Sequence, residues 1–105
     1  MPLTTTPGPQ ILLNGVTSTG ASSWVDVSQA SGFAILTEAS SVTTGGTMLI
    51  EVKDSAGNAV TLDSTAISAD GDSWIQSDIQ VTHVRSNLSA RRDGTYTTTL
   101  YQRRG

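Results

Sequence analysis

The sequence has no cysteine, a single histidine (His83), and only three prolines, all within its first nine positions. Without cysteine no disulfide can staple the chain, which fits assembly in a reducing cytosol. Charged residues make up 14%, against about 25% in ordinary domains. Aromatic residues make up 5%, which is thin for a sugar-stacking platform. Apolar runs such as Ile11–Leu13, Ala34–Leu36 and Met48–Ile50 are short. None approaches the ~20 residues of a membrane-spanning helix. The first nine residues carry neither a basic nor a hydrophobic leader-like segment, so the chain is expected to act where it is made.

The chemical motifs are missing too. No G-x-S-x-G, H-E-x-x-H, G-x-x-x-x-G-K-[ST] or G-x-G-x-x-G pattern occurs. His83 reads as a polar or interface residue, and would be a general base only with a nucleophile beside it. Asp70-Gly71-Asp72, with Asp63 nearby, offers oxygens for calcium but lacks the spacing of a calcium loop, so it reads as a solvated turn. No catalytic residue, metal or cofactor is expected.

What is present is the vocabulary of β-structure. About 30 of the 105 residues are Ser or Thr. Leu, Ile, Val and Phe reach about 22%, just above the ~20% that signals disorder. Such a thin core is expected to gain from association with copies of the chain or with a partner. Apolar residues alternate with period two. Met48, Ile50 and Val52 share one face of a strand, and so do Tyr96, Thr98 and Leu100. No apolar pattern of helical period persists for three turns. Turn signals separate the runs at Asn14-Gly15, Ser31-Gly32, Gly45-Gly46, Asp54–Asn58 and Arg91–Gly94. Residues 63–73 read as a polar loop with at most one irregular strand near Ile67. Parity slips between Ile79 and Ala90, which predicts a bulge or bend near Thr82-His83.

The fold expected is all-β: an antiparallel β-sandwich or jelly roll of seven or eight short strands. Residues 11–105 form its one domain, preceded by an extended N-terminal arm over residues 1–10. The arm is either a loose terminus or a segment that docks on a neighbour. Trp24 and Trp74 each open a strand after a polar loop; they are core or interface residues, or else sugar-stacking ones.

Charge is unevenly distributed. Residues 1–84 carry eight acidic side chains against Lys53, a net of −7, and residues 85–105 carry five arginines against Asp93, a net of +4. The acidic body opposes nucleic acid. The arginines are either solvated or aimed at acidic surfaces, which their planar fork suits.

Two texts, Gln80–Ala90 and Asp93–Leu100, place a V-R-x-N-L-S strand end before a D-G-T turn and a Thr-rich last strand. Together with Gly46–Val52 and Asp54–Asn58, this resembles small β-sandwich virion structural proteins of tailed bacteriophages, the capsid cement (decoration) group. The resemblance covers roughly residues 24–102. It implies a cement protein on the capsid exterior, made in the host cytoplasm, that binds the major capsid protein and copies of itself, with a trimer among the possible oligomers. Alternatives are a neck, tail or fibre component, or a non-viral carbohydrate-binding module. The contacts expected for the cement role are Leu3, Pro7 and Pro9 in the arm, and Arg85, Arg91, Arg92, Arg103 and Arg104. No membrane contact is expected.

Overall fold

A computed structural model describes residues 8–103. Leu3, Pro7 and Arg104 lie outside this range, as does most of the expected arm. The described residues form nine strands and no helix: β1 (Gln10–Val16), β2 (Gly20–Ala21), β3 (Val25–Asp26), β4 (Gly32–Ser40), β5 (Gly46–Lys53), β6 (Ala59–Ile67), β7 (Gly71–Ser77), β8 (His83–Arg91) and β9 (Thr95–Arg103). β2 and β3 are two residues each, which accounts for the excess over the seven or eight expected.

The strands make two antiparallel sheets. Sheet A has the order β1-β9-β4-β7, and sheet B the order β2-β8-β5-β6, with β3 also on β8. Among the described residues only β5 and β6 form a hairpin of consecutive long strands within one sheet. The other long connections cross between sheets, so the pairing is dominated by contacts far apart in sequence. The inward faces meet in one core, with Ile35, Tyr96 and Leu100 from sheet A against Met48, Ile50, Val52, Val84 and Leu88 from sheet B. The parity read from the sequence holds for β5 and β9.

The β5–β6 turn forms as its composition dictates. Asp54 Oδ1 accepts the N–H groups of Ala56 and Asn58, and Gly57 takes the positive φ of 84° that the turn requires. A second lock joins the β4–β5 connection to the β8–β9 turn. The Asp93 carboxylate accepts the backbone N–H groups of Thr43, Thr44 and Gly45. These bonds, that of Thr44 foremost, hold its pKa below the ordinary carboxylate value. The buried Tyr96 donates its hydroxyl to the Asp93 carbonyl at 2.8 Å. Burial, with the Asp93 charge second, raises the pKa of that phenol.

Two local expectations are corrected. Asn14-Gly15 does not turn the chain; both residues lie inside β1, where the register to β9 shifts between Leu13 and Val16. Gly15, at φ 59°, supplies the left-handed step of that bulge. Residues 63–73 are not a loop, because β6 runs on through Ile67 and β7 starts at Gly71. Alternation there is masked because both are edge strands, whose small polar residues face a partly open rim. The bend expected near Thr82-His83 is present at Thr82, at the end of the 78–82 connection and just before β8, and β8 carries a further register shift at Ser89, opposite Thr47-Met48.

The bulges in β1 leave backbone donors without ladder partners, and threonines of β9 satisfy them. Leu13 N–H donates to Thr98 Oγ1 at 3.1 Å, and Gly15 N–H donates to Thr97 Oγ1 at 3.0 Å. Thr98 Oγ1 also lies 2.6 Å from Ser86 Oγ on β8, so a fully buried hydroxyl pair links the two sheets through the core.

Candidate interaction face

Strand pairing on sheet A places four outward side chains in one row across all four strands. Ile11 of β1 pairs with Thr99 of β9, Thr99 with Leu36 of β4, and Leu36 with Trp74 of β7. Trp74 is 58% exposed and Ile11 54%, while Leu36 between them is half-buried. In the next row Tyr101 stands beside Ala34, and its ring lies 5.4 Å from that of Trp74 at 46°. The result is a largely apolar stripe, interrupted at Thr99, which is only 8% exposed, across the outer face of a sheet whose inner face already forms the core.

Beyond Tyr101 the face dips into a shallow depression of ≈ 290 Å³, lined by Ala34, Gln76, Asp78, Tyr101 and Arg103 among others. Arg103 Nη2 bonds Asp78 Oδ1 at 2.6 Å across its rim. Both side chains are mostly in water, so the pair contributes little to stability. Glu38 and Asp72, paired in register, are exposed on the other side of the stripe.

The outer face of sheet B is closed in a different way. The Arg85 guanidinium lies 4.3 Å from the Trp24 ring centroid, and Lys53 Nζ lies 5.0 Å from it. Arg85 Nε also bonds Glu51 Oε1 at 2.7 Å, with the Glu51 side chain only 12% exposed. Cation–π and ion-pair contacts therefore already occupy Trp24 and Arg85.

The four described arginines singled out from the sequence do not form one patch. Arg91 donates Nε to the Gly94 carbonyl at 2.9 Å, and Arg92 is exposed on the same turn. Arg103 lies at the far end of the nine-residue β9, a span of ~26 Å at ~3.3 Å per residue. Pro9 is exposed just before β1, at the Arg103 end of the sheet, because Gln10 pairs with Leu100.

His83 is half-buried, and its Nδ1 has no hydrogen-bond partner among the described residues. Asp26 pairs with it in register, but the hydroxyl of Ser28 donates to Asp26 at 2.6 Å and not to His83. That bond is the main reason the Asp26 pKa is lowered. The serine thus sits on the wrong member of the set for the imidazole to activate it. Asp70 Oδ1 accepts the Val42 N–H at 2.7 Å, and Asp63 accepts the Thr65 hydroxyl at 2.8 Å. Among the described residues no group of three or more His, Asp or Glu side chains is arranged to hold a metal ion.

Of the stripe, the sequence singled out only Trp74. Tyr101 was legible as sharing the outward parity of Thr99. Joining Ile11 and Leu36 to them required the pairing register of strands up to 88 positions apart.

No family model matches the chain, and no curated protein matches it by sequence. Among solved structures, the SPBc2 prophage-derived protein YomS superposes with a TM-score of 0.68 at 11% identity, covering 96% of this chain and 97% of that one. The two share a fold. A structure of Bacillus endospore appendages, described as disulfide-linked pili, aligns at 12% identity over 98% of this chain and 97% of that one, with a TM-score of only 0.38.

Proposed function

We propose that this chain is a virion structural protein of a tailed phage, and specifically a capsid cement subunit that bridges neighbouring shell subunits and acts by binding alone. The carrying observation is the open apolar stripe on sheet A, on a fold shared along nearly its whole length with a prophage-derived protein. A small sandwich with one face free can add buried area at the seams of a shell under internal pressure. In this reading the arm before β1, the exposed Arg92 and Arg103, and Arg104 contact the major capsid protein. A neck or tail role would use the same face in fewer copies.

The test is the copy number of this chain relative to the major shell protein in purified virions, by quantitative mass spectrometry. A simple large fraction supports cement, and a ring-sized handful supports neck or tail. Absence from particles sinks the virion reading. Within the cement reading, Arg103→Glu with Arg104→Glu lowers occupancy while leaving the domain folded. Unchanged occupancy removes these arginines from the contact.

A further inference from the structure

From the layout of sheet A we infer that its outer face is a twofold interface with a second copy of this chain. The inference shares with the reading above the idea of a self-associating subunit, but it concerns the isolated protein and has its own test.

The stripe is complementary to itself. Its order across the sheet is Ile11, Thr99, Leu36, Trp74. A twofold axis lying between two facing sheets, parallel to the strands and centred between β9 and β4, reverses that order in the partner. Each Trp74 then lies over the partner's Ile11, and each Leu36 over the partner's Thr99. In the next row each Tyr101 lies over the partner's Ala34, a large side chain against a small one. The acidic row fits as well, since Glu38 comes over the partner's Thr97 and no carboxylate is stacked directly on another. This is the self-complementarity that an isologous interface requires.

The area is sufficient for a modest dimer. β4 and β9, at nine residues, are ~30 Å long and β1 and β7, at seven, ~23 Å, which at ~4.8 Å spacing gives a flat footprint of ~500 Å² per copy. Two copies bury ~1,000 Å², the floor for a specific interface and the range of a weak, reversible dimer. Trp74 on the β7 edge and Tyr101 on the central β9 are the residue types that dominate such contacts. Among the described residues the other outer face has no such row, because Arg85 and Lys53 already lie over Trp24 and Glu51 holds Arg85 in an ion pair.

The experiment is sedimentation velocity on the full chain across a concentration series. A reversible dimer is expected, weakened at least tenfold in Trp74→Ser and in Tyr101→Ser, and unchanged in Val60→Ser, which alters an exposed residue on sheet B. Ile11→Ser provides an independent disruption should one aromatic variant fold poorly. Geometry is read by cross-linking, because the chain has no native cysteine. Glu38→Cys treated with a short bismaleimide should give a covalent dimer, since the axis keeps like rows together. Thr61→Cys, on the outward side of sheet B, should not. A wild-type chain that stays monomeric, a dimer that survives both aromatic variants, or cross-linking through Thr61→Cys alone would overturn the interface. So would saturable quenching of Trp74 fluorescence by an oligosaccharide in a monomeric protein, which would make the face a glycan platform. A dimer in solution from a chain absent from virions would uphold this interface and sink the virion reading; a monomer abundant in virions would do the reverse.

Discussion

Thr98 is the residue on which the joining of the two sheets can be tested most directly. It is fully buried, and its hydroxyl meets both Leu13 N–H at 3.1 Å and Ser86 Oγ at 2.6 Å. Thr98→Val keeps the shape and removes both interactions. A buried N–H left without an acceptor costs ~1–3 kcal/mol, and losing the hydroxyl pair costs ~1 kcal/mol more. The added methyl returns ~0.8 kcal/mol at most. The expected net loss is ~1–3 kcal/mol, or ~5–15 °C in Tm for a domain of this size. Ser86→Ala should cost only ~1 kcal/mol, because Thr98 keeps its bond to Leu13. Equilibrium urea unfolding of the wild type, both single variants and the double variant closes a cycle. The double variant should lose less than the sum of the singles, since removing Ser86 Oγ also removes the hydroxyl that Thr98→Val orphans. A Thr98→Val protein within ~0.5 kcal/mol of wild type would refute the argument, because that is the range of surface substitutions with no buried role.

Other substitutions test the remaining features. Gly45 sits at φ 97°, and a Cβ there would run into the Ile67 carbonyl, so Gly45→Ala should lower Tm steeply and reduce the folded yield. Asp93 has a lowered folded pKa, so its contribution is full above the ordinary carboxylate value of ~3.9 and is lost as pH falls through the folded value. Asp93→Ala should therefore lower Tm at neutral pH, and its melting curve should converge on that of wild type in acid; a constant gap at all pH values would refute this. Arg85→Ala leaves Glu51 with a mostly buried, unpaired charge and should destabilise by ~1–3 kcal/mol in urea unfolding. An Arg85→Ala protein of wild-type stability would return this arginine to the list of candidate partner contacts.

The primary sequence determined the central strands and their faces, because side-chain parity along a strand is local, but not the extent of the edge strands β6 and β7. Met48, Ile50 and Val52 point inward wherever β5 is placed, and Asp54–Asn58 turns because its own carboxylate and glycine make it turn. It did not determine the pairing. Asn14-Gly15 has the composition of a hairpin turn, yet the chain runs straight through it, because β9 offers hydroxyls at Thr97 and Thr98 to the amides the bulge exposes. The threonine run of β9 read only as β-propensity until β1 was laid beside it. The same holds for the outer faces. Trp24 and Trp74 look alike in sequence, each following a polar loop. Tertiary structure puts Arg85 and Lys53 over one and leaves the other open in a row with Ile11 and Leu36. That difference depends on which strands become neighbours, and neighbours are chosen by burial summed over the whole chain rather than by any short segment of it.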